Sequence, residues 1–293
     1  MTNFDIKYNK PKLYRRIIVK NIKKGDIVAR ISYGKDIIFS IEKIVRTEKH
    51  EIAILKGITK RIVADSYIED LVVVDKRIVQ EAQEKIDNKI KHKLQTANLS
   101  KNFFGLKRGS KELITGSILH LDGDKRYSQK SMRYYKSLGL NANVKNIAEY
   151  KQPKMILELL EIYNPDILIV TGHDGMIRKG IKYNDIYNYR NSRYFIQTVK
   201  KARQYKNTKE LAIFAGACQS FYEALIEAGA NFASSPGRIM IDFIDPLIVA
   251  ERIATTDNYK YLRIEDIKDE LRDGEEGVSG IGSIGKKKSN IQM

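Results

Sequence analysis

The sequence predicts an α/β domain built on a parallel sheet, preceded by a small all-β domain. Three observations carry this. Ile167 to Val170 and Leu211 to Phe214 are short runs that are apolar on both faces, as strands buried between two layers must be. Each follows a stretch of helical spacing and precedes another, the alternation of a doubly wound sheet. Residues 1–75 instead carry short β-branched runs with turn signals between them.

In chain order, Gly25-Asp26 opens IVARISY and Gly34-Lys35 marks a turn. DIIFSIEKIV, EIAILKG, RIVAD and LVVV follow, giving about five strands and a small barrel-like domain over residues 1–75. Lys76 to Thr96 has no Gly or Pro, and Ile78, Val79, Ala82, Ile86, Ile90 and Leu94 recur at helical spacing. This reads as a long amphipathic helix. Asn98 to Lys111 is basic and polar, with two glycines, and suits an exposed connector, so that residues 76–112 join two domains.

The α/β domain is expected over residues 113–273. SILHLDGD supplies the first strand, Tyr127 to Leu138 a helix closed by Gly139, and ANVKNIA the second strand. Pro153 suits the first turn of a helix that runs to Tyr163 and ends at Asn164-Pro165. The Ile167 strand is third. A helix from Asn191 to Tyr205 leads to the Leu211 strand, the fourth. Ser220 is placed to cap a helix from Phe221 to Ala228, with Gly229 as its stop. Asn231 to Ser235 offers a fifth strand, Leu247 to Thr255 a helix, and Tyr261 to Leu271 a last helix. Residues 274–293 are rich in Gly and Ser and end in a basic cluster, the composition of a disordered tail. Five strands with intervening helices fit a flavodoxin-like sheet in the order 2-1-3-4-5, which makes the third and fourth strands neighbours.

The chain has 293 residues, a net charge of +17, four histidines and one cysteine. A single cysteine excludes an intramolecular disulfide and fits a reducing compartment. No apolar run approaches 18 residues and the start has no apolar signal core, so a cytoplasmic protein without a membrane span is expected. The positive charge attracts acidic partners. The lack of an exposed aromatic cluster in the β region argues against nucleic acid. Scattered histidines and one cysteine do not make a metal site, and no cofactor is expected.

DILIVTGHDG ends in His173 and LAIFAGACQS delivers Cys218, both just past strand ends, where the ligand crevice of such a sheet lies. A thiol beside an imidazole can become a thiolate, which attacks carbonyl carbons. Gly172, Gly175 and Gly216 would let backbone N–H groups, with that of Cys218, approach an oxyanion. A lone cysteine is more often a small buried hydrophobe, and a lone histidine is often structural. Their occurrence at equivalent strand ends favours a catalytic pair. Five acids at the sheet rim, Asp122, Asp124, Asp174, Asp242 and Asp245, are candidates to pair with a guanidinium. Asp122-Gly-Asp124 also admits a Mg-dependent phosphatase-like hydrolase, although the Thr or Val usual after the glycine and a clear second-site lysine are missing, or a simple turn cap. A non-catalytic basic scaffold that binds through its charge is a third class.

An apolar strand ending in His-Gly followed by one ending in Ala-Cys resembles the caspase, legumain and clostripain group of cysteine peptidases, with His-Asp-Gly here for His-Gly. LHLDGD, NPDILIVTGHDG, NYRNSRYF, FAGACQS and EAGANFASSP, spread over Leu119 to Pro236, resemble the YabG family of sporulation-specific proteases. The resemblance implies a caspase-like catalytic domain and a cysteine endopeptidase that cuts spore coat and cortex-associated proteins after arginine. It implies His173 and Cys218 as the pair, and residence in the mother cell of a sporulating bacterium or with its spore coat. On that reading the connector is a target for self-cleavage, with Arg108 of Lys107-Arg108 the foremost site. The scaffold alternative becomes a coat-binding protein.

Overall fold

The computed structural model describes residues 22–48, 50–103, 115–177 and 182–288. The first part is a five-stranded antiparallel sheet of β1 (Ile27–Arg30), β2 (Ile38–Arg46), β3 (Glu51–Gly57), β4 (Val63–Tyr67) and β5 (Leu71–Val73). Its order is β4-β3-β2-β1-β5. Inward residues alternate with partly exposed ones along β3, as a sheet with one covered face requires.

The expected barrel does not close. β4 and β5 lie at opposite edges of the sheet, with no ladder between them. The start of β4 is committed elsewhere: Ile62 pairs in parallel with Asp174, and the Val63 N–H donates to the Asp174 carbonyl at 2.7 Å. The face that a barrel would enclose is covered instead by the second domain. Val28, Phe39, Ile41, Ala53 and Leu55 form one cluster with Cys218 and Ile241.

Helix α1 (Lys76–Phe103) extends past the expected end, so Asn98 to Phe103 is helical rather than connector. Ile90 is buried, and Ile86 and Leu94, one turn to either side, pack on the same core. The rest of the connector, including Arg108, lies outside the described residues.

The second sheet contains β6 (Ile118–Asp122), β7 (Ala142–Asn146), β8 (Ile167–Thr171), β9 (Ala212–Ala215), β10 (Phe232–Ser234) and the later β12 (Val278–Gly280). Its order is β12-β10-β9-β8-β6-β7, parallel except for β12. The helices between these strands are α2 (Lys125–Ser137), α3 (Gln152–Tyr163), α4 (Ser192–Tyr205), α5 (Tyr222–Glu227) and α6 (Asp245–Thr255). Period-two alternation divides the strand side chains between two cores. Ile118, Ile167, Ile169 and Phe214 pack with Tyr127, Tyr134 and Tyr135 of α2 and Leu247 and Ile253 of α6. Leu119, Leu121, Leu168 and Val170 pack with Leu160 of α3 and Val199 of α4 on the other face.

Two expectations near the C-terminus are corrected. Tyr261 to Leu271 is not a helix. Tyr261–Leu262 forms β11, which pairs antiparallel with β13 (Ser283–Ile284), and short 3-10 turns follow β11. Residues 274–288 are not a disordered tail. They form α7 (Gly274–Gly277), β12 and β13, and β12 completes the sheet edge against β10. The glycine content has a packing reason here: a Cβ on Gly280 would overlap the Asn231 carbonyl.

Candidate active site

Strands β8 and β9 pair in register with Val170 opposite Ala215. His173 and Cys218 each stand three residues beyond that pair, in neighbouring loops at the same edge of the sheet. His173 is 1% exposed. Its Nε2 lies 2.9 Å from the carbonyl of Gly57, at the end of β3. A carbonyl only accepts, so Nε2 carries the hydrogen and Nδ1 holds the free lone pair. That Nδ1 is buried without a hydrogen-bond partner. The loop is fixed on both sides: the His173 N–H donates to Glu149 at 2.7 Å, and the His173 carbonyl accepts from Asn191 Nδ2 at 2.7 Å. Burial, followed by the nearby Lys56 charge, lowers the imidazole pKa to about 3, so it is neutral.

Cys218 is fully buried, although a place on the sheet rim suggests partial exposure. It shares a buried cluster with Ile62 of the turn between β3 and β4, Phe39 and Ile241. Its Sγ is 3.8 Å from the Ile241 carbonyl, and Lys60 and Arg61 lie near enough to oppose the effect of burial on it. Burial pushes the thiol up to about 11, so it is protonated at neutral pH. The loop bends through Gly216 and Gln219, with φ of 112° and 56°. Ser220 does not cap α5, which begins at Tyr222 with no side-chain cap. Its hydroxyl instead accepts from the Ala217 N–H and donates to Asp174.

Asp174 ties the two loops together. It is fully buried and accepts from Ser220 Oγ at 2.9 Å, Ser192 Oγ at 2.5 Å and the backbone N–H groups of Gly175 and Asn191. Burial raises its carboxyl, and these donors pull it back. A Cβ on Gly175 would overlap the Val63 carbonyl, so this glycine lets β4 approach. Gly172 packs against Glu149. Burial raises the Glu149 carboxyl.

Asp122 ends β6 and is fully buried. Arg61, from the turn between β3 and β4, is 1% exposed and brings Nη2 to 2.9 Å from Asp122 Oδ2. Its guanidinium lies 4.9 Å from the ring centre of Tyr127 and 5.2 Å from that of Phe243, and the two rings stack on each other. Thr171 and the Asp124 N–H also donate to Asp122. Burial raises the Asp122 carboxyl, opposed by Arg61. Asp124 caps α2 through the Arg126 N–H, with Lys56 at 3.6 Å and His173 Nε2 at 4.0 Å. Asp242 pairs with Lys89 at 3.1 Å. Asp245 accepts from the backbone N–H groups of Asp242 and Arg272, and burial raises it to about 6. These last two acids flank Phe243 and secure the start of α6.

Of the five rim acids, then, Asp122 is the one engaged by a buried guanidinium, while Asp124 pairs with the part-exposed Arg126 at 3.6 Å. Asp174 is a knot between loops, and Asp124 is a cap. Among the described residues, no group of three or more His, Cys, Asp or Glu gathers as metal ligands, and no helix is long and apolar enough to cross a membrane. Gly57, Arg61, Tyr127, Phe243 and Glu149 are absent from the site as read in sequence. A backbone carbonyl has no residue signature, and Arg61 is distant in the chain from the acid it meets.

No solved structure matches the chain. Over residues 23–292 it matches the family described as YabG peptidase U57. It is 36% identical over 277 residues to the sporulation-specific protease YabG of Bacillus subtilis (strain 168), covering 89% of this chain and 94% of that one. The chain belongs to the YabG peptidase family and is a sporulation-specific protease.

Proposed function

We propose that the protease is a cysteine endopeptidase in which Cys218 is the nucleophile and His173 its base, on a caspase-like sheet. The observation that carries this is the Nε2 bond of His173 to the Gly57 carbonyl. It fixes the tautomer and leaves Nδ1 as the proton acceptor, in a loop parallel to that of the only cysteine. His173 takes the thiol proton. The thiolate adds to the scissile carbonyl, and the imidazolium returns the proton to the departing amine. Water then hydrolyses the thioester with the same histidine as base. The N–H groups of Cys218 and Asp174 are suited to hold the oxyanion, since the Asp174 N–H already donates to a carbonyl, that of Arg61.

The substrate residue before the cut is arginine. Asp122, with Thr171 and the Asp124 N–H holding it and aromatic rings beside it, is a charged floor suited to a guanidinium. Spore coat and cortex-associated proteins, met in the mother cell or on the coat, are the substrates. The test is hydrolysis of a matched pair of peptides, one with arginine and one with norleucine before the cut, by wild type, Cys218→Ala and His173→Gln. The proposal expects cleavage of the arginine peptide by wild type alone. Equal cleavage of both peptides would remove the arginine pocket, and full activity in either folded variant would remove the catalytic pair.

A further inference from the structure

The turn Ile58 to Ile62, between β3 and β4, does more than join two strands. The residue before it, Gly57, holds His173, and Arg61 itself meets Asp174, Asp122, Tyr127 and Phe243. The Arg61 carbonyl accepts from the Asp174 N–H at 3.2 Å, and Ile62 packs in one cluster with Cys218 and pairs with Asp174 as an added strand residue. An extended peptide substrate makes the same kinds of contact: backbone pairing beside the cleft, a carbonyl on a backbone N–H and a side chain in a pocket. The Arg61 side chain completes the likeness, with Asp122 at its head and Tyr127 and Phe243 along its face.

The fit of the guanidinium is incomplete. Nε and Nη1 have no hydrogen-bond partner, and Nη2 meets the Asp122 carboxylate as a charge pair at 2.9 Å without an aligned hydrogen bond. A buried arginine serving as a permanent tie has its donors paired, because each unpaired buried N–H is costly. An arginine that occupies a pocket in competition with others need not. Gly57 belongs to β3 and pairs with Phe39 of β2, so the ladder and not the turn holds the carbonyl that His173 meets.

We infer that Ile58 to Ile62 is an intramolecular occupant of the substrate cleft, with Arg61 filling the subsite for a basic side chain, so that the protease is latent until the turn lifts. The identity of the cleft rests on the cysteine-peptidase reading; the burial of the thiol by the turn does not. Latency then has two physical sources. The subsite is filled, and the thiol is held protonated by burial while the imidazole of the neighbouring loop is neutral.

The test reads access to Cys218 separately from activity. As the single cysteine of the chain, it gives an unambiguous iodoacetamide label. The full-length protein is compared as wild type, Arg61→Ala and Arg61→Lys, with near-UV circular dichroism as the check of folding; Arg61→Gln replaces the alanine variant if that variant does not fold. The inference expects labelling about tenfold faster or more in Arg61→Ala, and a similar rise in kcat/KM for a short arginine peptide, because the competent fraction rises. Arg61→Lys, which keeps the cation, should stay within about threefold of wild type. Unchanged labelling in folded Arg61→Ala would overturn the inference, as would a fall in kcat/KM with labelling unchanged. Faster labelling with no hydrolysis by any variant would uphold the covering turn and sink the cysteine-peptidase reading of this cleft instead.

Discussion

Nε2 of His173 and the carbonyl oxygen of Gly57 meet at 2.9 Å although 116 residues separate them in the chain. One backbone carbonyl from the N-terminal sheet thus sets the protonation pattern of an imidazole in the second domain. On the proposed reading the N-terminal sheet is part of the active site. His173→Gln keeps a donor in reach of Gly57 but removes the base, and should lower kcat by about 10²- to 10⁴-fold with a small change in KM. A parallel rise in KM would point to loss of loop structure instead.

Asp122→Asn should reduce kcat/KM for an arginine peptide by about 10- to 150-fold, the range for losing one charge-assisted contact of roughly 1.5–3 kcal/mol. Cleavage of any neutral peptide should change little. The same variant leaves Arg61 buried without its counter-charge, which costs about 3–5 kcal/mol where the arginine cannot escape to water. The melting temperature should therefore fall in Asp122→Asn and recover in part in Arg61→Ala/Asp122→Asn. Strict additivity of the two changes would mean that the two side chains do not interact.

The Cys218 thiol gives a pH prediction. Its folded value of about 11 lies above the 9.0 of an unburied thiol. A raised pKa contributes stability that is present below the unfolded value and is lost as pH rises through the folded one. Stability should decline between about pH 9 and 11, and this decline should be shallower in Cys218→Ala, measured as urea midpoints across that range. Identical alkaline profiles would show that the thiol is not held protonated by burial.

Gly175→Ala should disrupt the contact between domains, because its Cβ would overlap the Val63 carbonyl beside the Ile62–Asp174 pair. Overpacking of this kind costs about 1–3 kcal/mol. The chemical denaturation midpoint should fall and activity with it. A stable, fully active Gly175→Ala protein would mean that β4 need not approach the His173 loop.

Self-cleavage is expected after Arg108, between two domains and among basic residues. Mass spectrometry of stored wild type should find a fragment beginning at Gly109 that Cys218→Ala does not produce. The same fragment in both would assign the cut to another protease.

What the sequence reveals and what it hides follow from the range of the interactions involved. The runs around Ile167 and Leu211 are apolar on both faces because two helical layers cover them, so their place in a parallel sheet is written locally. Their ends then bring His173 and Cys218 to one edge. The partners of those residues are not local. Gly57 acts through a carbonyl that any residue has, and Arg61 reads as one of 53 basic residues until the fold sets it against Asp122. Ser220 looks like a helix cap because serine caps many helices, yet Asp174 competes for its hydroxyl. Gly280 looks like disorder because glycine composition carries no trace of the strand it meets. The barrel fails for a related reason. Strand count and turns fix the ladders of a sheet, but whether its open face closes on itself depends on what else is available to cover it.

The central claim is that the thiol of Cys218 performs the cleavage, and one measurement addresses it directly. Cys218→Ala removes a single buried sulfur and should cost only about 1 kcal/mol of stability, because the vacated volume is small. Purified Cys218→Ala and Cys218→Ala/Arg61→Ala, with the circular dichroism of wild type, are assayed for hydrolysis of an arginine peptide beside wild type and Arg61→Ala. Turnover in the Cys218-containing protein, with none above background in the alanine variants of Cys218, is the result this account requires. Turnover that persists in folded Cys218→Ala/Arg61→Ala would contradict it and move the nucleophile elsewhere.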